Sequence, residues 1–245
     1  MITVVTGGLR GIGTTIADAF EEEGHIVERG SSKRASLEDP KALRRWVEEI
    51  VETHGRVDVL VNNAGVLDQD VDVFGADPDE WWRTYEINVR GTFELSQAIG
   101  RHMIANGGGR IINLNSGRGM RAYETATAYP GTKAAVARLT GSLHLAGRDR
   151  GLFAFDLMPG VVKTDLAQSL AFNAGRTSWT PASAVADLAL ALASGDLDAL
   201  SGHLIDAMVD TPSSLVARVK EGFGEHARTL GLLPWGYDGA NRAEA

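Results

Sequence analysis

Thr6-Gly7-Gly8-Leu9-Arg10-Gly11-Ile12-Gly13 is the stretch that decides the fold. An apolar run from Ile2 to Thr6 leads into it and predicts a short buried strand, and an amphipathic run from Thr14 to Glu23 follows it and predicts a helix. Glycines let a backbone turn tightly and approach a pyrophosphate, and the start of a helix supplies N–H groups and the positive end of its dipole. The order strand, glycine turn, helix therefore predicts an α/β fold with a phosphate-binding turn, although a glycine-rich turn without a ligand remains the alternative.

Beyond this turn, apolar strands alternate with amphipathic helices, which predicts a single α/β domain. We expect a doubly wound parallel sheet in a Rossmann-type three-layer sandwich. Further strands are predicted at 25–29, 57–61, 110–115 and 153–158 and within 200–207, and further helices at 40–54, 77–105, 129–146, 182–193 and about 215–230. The predicted domain covers residues 1–209, with a substrate lid at about 161–180. Residues 210–245 are expected to form a C-terminal extension, helical at first and then a polar tail.

The segment from Gly30 to Asp39 departs from a complete doubly wound pattern. A helix and a third strand are expected there, but a parallel crossover needs about a dozen residues or more. We therefore predict a shortened crossover after the second strand, without its helix and with the third strand short or absent. The segment begins with two hydroxyls and two cations, Ser31, Ser32, Lys33 and Arg34. Such groups suit the 2′-phosphate of NADP(H) better than the ribose hydroxyls of NAD(H), and a solvated basic loop is the alternative.

Composition limits the remaining classes of function. The chain has 245 residues, 44% of them hydrophobic, which suffices for a substantial core. A formal net charge of −8 argues against nucleic acid and anionic membranes as partners. No cysteine is present, and six histidines are scattered without paired ligand spacing, so neither a thiol nucleophile nor a metal site is expected. No secretory signal or membrane-spanning apolar run is visible, and a soluble cytoplasmic protein is expected.

Tyr129-Pro130-Gly131-Thr132-Lys133 carries the candidate chemistry. Residues four apart share one face of a helix, and an ammonium one turn from a phenol favours the phenolate that a general acid/base tyrosine must form. Alone the pattern is weak, because any solvated helix can carry it. Two further residues strengthen it: Ser116 lies at the carboxyl end of a predicted strand, where open parallel sheets bind ligands, and Asn88 lies inside a predicted helix, where a buried polar role would explain an otherwise unfavourable residue.

From Ile2 to about Ala207 the chain resembles the short-chain dehydrogenase/reductase family. The glycine turn, Asn62-Asn63-Ala64-Gly65, the set Asn88, Ser116, Tyr129 and Lys133, and Pro159-Gly160 with Thr164 match motifs of that family in order. The resemblance implies an NAD(P)-dependent oxidoreductase in which Asn88, Ser116, Tyr129 and Lys133 are the catalytic tetrad. The residues expected to bind the cofactor are Gly7, Leu9, Arg10, Gly11, Ile12, Gly13, Ser31, Lys33, Arg34, Asn63, Ala64, Gly65, Tyr129, Lys133, Pro159, Gly160, Val162 and Thr164.

The resemblance also implies a role for each member of the tetrad. Tyr129 would exchange a proton with the substrate oxygen, which Ser116 would orient by a hydrogen bond. Lys133 would hold the nicotinamide ribose, and Asn88 would hold a water in a proton relay behind it. Two departures from the family stand out. Ser36 occupies the place of an acid that usually contacts adenine, and the last strand lacks the usual Asp-Gly-Gly ending.

Several features beyond the tetrad remain open. Hydride transfer between NADP(H) and a ketone or secondary alcohol is the first hypothesis; an isomerase, dehydratase or cyclase on the same scaffold and a non-catalytic sensor or scaffold are the others. The loop and lid residues that could line a pocket for a bulky hydrophobic or aromatic small molecule, or pack on the core instead, are Arg118, Met120, Arg121, Tyr123, Leu166, Leu170, Phe172 and Trp179. The resemblance implies a homodimer or homotetramer formed through the helices that hold Asn88 and Tyr129.

Overall fold

A computed structural model describes residues 1–170 and 173–231 of the chain. Its strands are β1 (Ile2–Val5), β2 (Ile26–Arg29), β3 (Val59–Asn62), β4 (Gly109–Leu114), β5 (Leu152–Met158) and β6 (Leu204–Asp206). Its α-helices are α1 (Gly11–Glu22), α2 (Pro40–His54), α3 (Pro78–Tyr85), α4 (Thr92–Ala105), α5 (Ala128–Gly147), α6 (Asp165–Ser169), α7 (Ala182–Ser194) and α8 (Pro212–Glu221). The strands form one parallel sheet in the order β2-β1-β3-β4-β5-β6.

The sheet is covered by helices on both faces, as the sequence predicts. Successive residues of a strand point to opposite faces, so Val59 and Val61 pack with α1 and α7, whereas Leu60 packs with α2 and α4. Strands buried on both faces are typical of parallel sheets, which explains their continuous apolar sequences. The Rossmann-type three-layer architecture is therefore confirmed. Within the described ranges, none of the helices has the length and apolar character needed to cross a bilayer.

The shortened crossover is also confirmed. Residues 30–39 form turns without a helix or strand, and α2 alone carries the chain from β2 past β1 to β3. Trp46 of α2, only 2% exposed, packs among the apolar residues on this face of the sheet. A Cβ built on Gly30 would lie 2.5 Å from the Trp46 ring, so the end of β2 rests directly on the indole. Trp46 thus covers the region that a complete crossover would cover.

The helix predicted over 77–105 is present but is not uniform. A six-residue π-helical turn, Glu86–Gly91, separates α3 from α4. Such turns occur often at functional sites, because the wider ring re-aims the side chains around it. Asn88 lies within this turn and is buried. The sequence pattern, which is read with a single helical period, does not show this change of geometry.

The end of the described chain confirms one prediction and corrects another. The last strand, β6, lies within the predicted 200–207 and begins after a 3-10 turn and further turns at residues 198–203. The helix predicted to reach residue 230 ends at Glu221, since Gly222 has a φ of 83° and Gly224 follows it. The chain then turns back, and the Leu204 N–H at the edge of the sheet donates to the Arg228 carbonyl at 3.0 Å. The rest of the predicted polar tail lies outside the described residues.

Candidate active site

Asn63, which directly follows β3, holds the glycine turn against the loop after that strand. The Asn63 side chain donates to the Thr6 and Gly7 carbonyls, at 2.9 and 3.3 Å. A Cβ on Gly13 would lie 2.3 Å from the Gly7 carbonyl oxygen and 2.4 Å from Asn63 Nδ2, so only glycine fits there. Asn63 therefore fixes the shape of the turn, and its side chain is engaged by the turn's own backbone.

The start of α1 has the chemistry of an anion site. Arg10 occupies the N-cap without a side-chain cap hydrogen bond, and the first turn contains no acid. The helix start thus keeps its positive end available to a phosphate group. Thr164, which caps α6, approaches the same turn: a Cβ on Gly11 would lie 3.3 Å from Thr164 Cγ2. The residues at the turn therefore fit the pyrophosphate of a dinucleotide.

The basic segment after β2 is more engaged than its sequence indicates. Arg34 pairs with Glu28 at 2.9 Å, and His54 of α2 contacts the other oxygen of the same carboxylate. Ser31 Oγ accepts from the Arg34 backbone at 3.4 Å, while Lys33 is exposed. Arg34 would have to exchange or share its partner to bind a 2′-phosphate, a requirement that the sequence does not reveal.

Tyr129 and Lys133 lie one turn apart near the start of α5. The Lys133 ammonium is 5.5 Å from the centre of the Tyr129 ring, and its side chain is only 7% exposed. It donates to the Leu114 carbonyl at the end of β4, at 2.6 Å. A buried ammonium requires hydrogen-bond partners, and this carbonyl fixes it at the carboxyl edge of the sheet. The two residues therefore share a place in the fold as well as a helix face.

Ser116 follows β4 and begins a 3-10 turn, Gly117–Met120. Its hydroxyl accepts from the Arg118 backbone at 3.2 Å. The turn packs closely on α5, because a Cβ on Gly119 would lie 2.9 Å from the Lys133 backbone carbon and Cβ. Ser116 is thereby brought to the same edge of the sheet as Lys133.

Asn88 is bound from several sides. Its Oδ1 accepts from the Val66 N–H and its Nδ2 donates to the Val66 carbonyl, both at 2.9 Å. Nδ2 also donates to Thr132 of α5 at 3.1 Å. A Cβ on Gly65 would lie 3.2 Å from Asn88 Oδ1 and 4.0 Å from Lys133 Nζ, so these two side chains approach each other beside Gly65. The four residues of the predicted tetrad thus belong to one region of the sheet edge, and their catalytic roles stay predictions.

Comparison with known proteins decides the family. The family described as short chain dehydrogenase matches residues 31–174, more than half of the chain. The chain belongs to the short-chain dehydrogenase family. Like its relatives, this short-chain dehydrogenase is an NAD(P)-dependent oxidoreductase enzyme. The matched range begins after the glycine turn, at the segment where the crossover is shortened.

Individual relatives of this short-chain dehydrogenase differ in substrate. A protein named NAD-dependent glycerol dehydrogenase from Listeria innocua is 30% identical, over 68% of this chain and 72% of its own. A 3alpha-hydroxysteroid dehydrogenase from Mediterraneibacter gnavus is also 30% identical, over 69% of this chain and 76% of its own. The crystal structure of a gluconate 5-dehydrogenase from Burkholderia cenocepacia in complex with NADP and tartrate superposes with a TM-score of 0.75 at 27% identity, covering 89% of this chain and 95% of that one.

Two residues that the sequence reading overlooks fix the backbone of Tyr129. Asp68, in the loop after β3, accepts from the Ala128 and Tyr129 N–H groups, each at 2.9 Å. Thr132 donates to the Tyr129 carbonyl at 2.7 Å. Both are ordinary polar residues in sequence, one among several acids and the other within the motif. Their role is visible only once the loop after β3 is placed beside α5.

A third overlooked residue is Asp156, a carboxylate inside the central strands. Asn62 of β3 donates to Asn113 of β4, which donates to Thr140 of α5, and the Thr140 hydroxyl donates to Asp156 of β5, each at 2.8 Å. Burial raises the pKa of the Asp156 carboxyl to about 6, although the hydrogen bond from Thr140 and the charge of Lys133 oppose that rise. The catalytic edge therefore rests on a connected buried polar network.

The candidate substrate side combines exposed apolar and basic side chains. The Arg118 guanidinium lies 4.1 Å from the centre of the Tyr123 ring, and Arg121 Nε donates to the Tyr123 hydroxyl at 3.0 Å. Met120 and, in the predicted lid, Leu166 are exposed. The lid begins and ends at a bridge between Val162 and Thr180. Phe172, another candidate pocket residue of the predicted lid, lies outside the described residues.

Proposed function

We propose that this short-chain dehydrogenase transfers a hydride between NADP(H) and a ketone or secondary alcohol, with Tyr129 as general acid/base. The observation that carries the proposal is the pairing of Tyr129 with the buried Lys133 ammonium, 5.5 Å from the ring centre and anchored to the end of β4. This arrangement places a positive charge one helical turn from the phenol, on the same face of α5. The cofactor supplies the hydride chemistry when bound, and the protein supplies position and electrostatics.

Each tetrad residue has a part in this proposal. In the reductive direction Tyr129 gives its hydroxyl proton to the substrate oxygen, and in the oxidative direction it takes that proton back. Ser116 donates a hydrogen bond to the same oxygen and thereby orients the reacting carbon. Lys133 would bind the ribose hydroxyls next to the nicotinamide, and Asn88 would hold a water in a proton relay behind Lys133.

A preference for NADP(H) over NAD(H) is proposed from the segment after β2. Ser31, Lys33 and Arg34 are the hydroxyl and the cations that a 2′-phosphate would meet. The solved relative with NADP agrees with this preference, while the relative named as NAD-dependent shows that the family does not decide it. Glu28 already pairs with Arg34, so the preference depends on whether the phosphate competes for that guanidinium.

The substrate is proposed to be a small molecule, bulky and hydrophobic or aromatic, that meets the lid. Exposed Leu166 and Met120 support an apolar contribution. We further propose that the protein forms a homodimer or homotetramer through the helices that hold Asn88 and Tyr129. Large apolar side chains on the first of these helices, Trp82 and Phe93, are exposed in the single chain, as an association surface requires.

The second candidate function is non-redox net chemistry on the same scaffold, such as isomerisation, dehydration or cyclisation. One observation favours it: residues 30–39 form turns without the helix and strand of a complete crossover, so fewer protein groups would be near the far end of a bound cofactor. Thermal unfolding with NADPH, NADP, NADH and NAD separates the two, because a ligand at 100 times its Kd stabilises the folded state by about 2.7 kcal/mol. Absence of stabilisation by all four would count against the hydride-transfer proposal.

Substitution of Tyr129 tests the chemistry itself. We expect Tyr129→Phe to keep NADPH binding within about twofold and to lower turnover by about 10²–10⁴-fold, since the variant keeps the ring but has no proton to exchange. Turnover is measured as NADPH oxidation with dihydroxyacetone, 5-ketogluconate and a 3-ketosteroid, which represent a polyol, a sugar acid and a steroid. Tyr85→Phe is the matched control, because it removes a phenolic hydroxyl from α3, outside α5 and outside the candidate site residues. Wild-type rates in Tyr129→Phe would refute the assignment.

A further inference from the structure

The loop that follows the Asn62-Asn63-Ala64-Gly65 motif forms a connection between two members of the tetrad. At its start, Val66 exchanges two hydrogen bonds with the Asn88 side chain. Two residues later, Asp68 accepts from the Tyr129 N–H. Residues 66–72 therefore link the π-helical turn to the start of α5, and we refer to them as the β3 strap.

The hydrogen bonds around Tyr129 close into a ring. Asn88 donates to Thr132, Thr132 donates to the Tyr129 carbonyl, and the Tyr129 N–H returns to the β3 strap through Asp68. The main chain of Tyr129 is thus held at both its N–H and its carbonyl group. Such a double restraint fixes the Cα from which the phenol extends.

The start of α5 has no cap from its own sequence. Thr127, at the N-cap position, makes no side-chain cap hydrogen bond, and its hydroxyl instead accepts from the Trp81 indole at 3.2 Å. The first N–H groups of a helix lack intrahelical partners, so this end needs an acceptor from elsewhere. Asp68 supplies it across 60 residues of sequence, with one carboxylate oxygen for Ala128 and the other for Tyr129.

Further contacts hold the β3 strap to the residues just before α5. The Ala126 N–H donates to the Val71 carbonyl at 3.1 Å, and Asp72 and Thr125 form an antiparallel bridge. The Thr125 hydroxyl donates to Asp70. Ala126 itself has a φ of 51°, a left-handed conformation that costs free energy in a residue with a Cβ. The strap contacts offset that cost three residues before Tyr129.

We propose that Asp68 is a positioning residue that sets the location of Tyr129 for proton transfer by holding the first turn of α5. This inference rests on the proposed function, because only that function gives the Tyr129 hydroxyl a proton to transfer. The physical requirement is a narrow one: displacement of a reacting group by about 1 Å can cost about 100-fold in rate. The ring of hydrogen bonds through Asp68 opposes such a displacement.

Two variants test this role. Asp68→Ala removes both acceptor oxygens, and Asp68→Asn removes one of them. With NADPH and the probe among the three above that is turned over fastest, we expect Asp68→Ala to lower kcat at least tenfold. KM and the Kd for NADPH should change less than about threefold, and Asp68→Asn should fall between Asp68→Ala and wild type. A residue that only stabilised the fold would lower Tm without this selective loss of kcat.

Asp77→Ala is the matched control. Asp77 caps α3 through two N–H groups, at 2.9 and 3.0 Å, with the same chemistry as Asp68 but with no bond to Tyr129. Both alanine variants should lower Tm by a few degrees through loss of a cap, about 2–4 °C. Only Asp68→Ala should lose kcat. Equal kcat in the two variants, within twofold of wild type, would overturn the proposal.

Amide hydrogen exchange provides a readout that needs no substrate. In the wild-type protein the Ala128 and Tyr129 amides should exchange slowly for a helix start, and Asp68→Asn should accelerate them at least tenfold. Fast exchange in the wild type would overturn the contact even if Asp68→Ala failed to fold. Failure of the proposed function looks different: none of the three probes would be reduced by wild-type protein, whatever the exchange rates of these amides.

Discussion

At the carboxyl ends of β4 and β5, buried side chains such as Asn113 and Asp156 are joined by hydrogen bonds of 2.8 Å through Thr140. At the carboxyl end of β2, by contrast, the chain rests on the apolar ring of Trp46, and its basic residues lie on a half-exposed turn. A polar network specifies one geometry, since each donor must find its acceptor. Apolar packing holds a segment in place but leaves its polar groups free to exchange partners.

This difference explains why the region around Tyr129 and the segment after β2 can tolerate different amounts of structural change. In the proposed function the end with Tyr129 and Lys133 would have to place a proton within a fraction of an ångström, and its backbone is restrained on several sides. The far end would only have to hold a cofactor that is already anchored elsewhere. Loss of a strand and a helix there leaves the catalytic edge intact, because no hydrogen bond of the network passes through β2.

The largest expected effect is a loss of stability on removal of the apolar ring beneath the segment after β2. Trp46→Ala should lower the free energy of unfolding by about 3–5 kcal/mol, because a fully buried indole leaves a cavity under the segment after β2. Urea denaturation measures the change, and Phe74→Ala, which removes a 96% exposed aromatic ring, is the control. If the comparison is right, kcat at saturating NADPH stays near wild type in the folded variant. A loss of stability no greater than in Phe74→Ala would contradict the role of Trp46.

An intermediate effect is expected in the pH dependence of stability, through the buried polar network around Asp156. Burial raises the pKa of the Asp156 carboxyl from an ordinary value of 3.8 to about 6. The folded state therefore binds this proton more tightly than the unfolded state, and stability that is fully present below about pH 4 is lost as the pH rises through 6. Two pKa units correspond to about 3 kcal/mol.

The variant for this prediction is Asp156→Asn. Between pH 4 and pH 8 the variant should become more stable relative to the wild type by up to about 3 kcal/mol in unfolding free energy. The reason is that only the wild type must ionise a buried group. Urea titrations at the two pH values measure it, and other carboxylates cancel in the difference. Asp18→Asn, which removes an exposed carboxylate, should show a smaller change. A constant difference would show that Asp156 is not buried in its charged form.

The smallest expected effect concerns the half-exposed turn. Arg34→Ala should change the free energy of unfolding by less than about 1 kcal/mol, because its ion pair with Glu28 lies near the surface. If Arg34 meets the 2′-phosphate, the variant should weaken NADPH binding by about tenfold and leave NADH binding unchanged. Fluorescence titration with both dinucleotides measures this, and Arg44→Ala on α2 is the control. Equal effects on the two dinucleotides would assign the NADP(H) preference to other residues.

Periodicity and glycine placement were sufficient to predict the sheet, the flanking helices and the missing third strand. Those features follow from local preferences: short strands of three to seven residues, and a crossover too short for a helix. The π-helical turn at Asn88 was not predictable, because a pattern read with a single helical period does not show a local change of period. The helix after Pro212 was predicted too long, since its apolar spacing continues past Gly222, where the backbone leaves the helix.

For the candidate site, the sequence indicates which residues carry chemistry but not what restrains them. Tyr129 and Lys133 are recognisable because their spacing is local. Asp68 is not, because its two hydrogen bonds to α5 join positions 60 and 61 apart. The burial of Asp156 is equally difficult to predict, since a single acid in an apolar strand can also lie at an exposed edge of a sheet.

The contact between Leu204 and Arg228 has a consequence for the behaviour of the protein in solution. β6 is the last strand of the sheet, and an unpaired edge offers N–H and carbonyl groups to any other extended chain. The segment after α8 occupies part of that edge, and Leu215 of α8 is buried in the same core as β6. The C-terminal segment therefore covers part of the β6 edge, on the side of the molecule opposite to the shortened crossover, and leaves fewer backbone groups there for pairing with another chain.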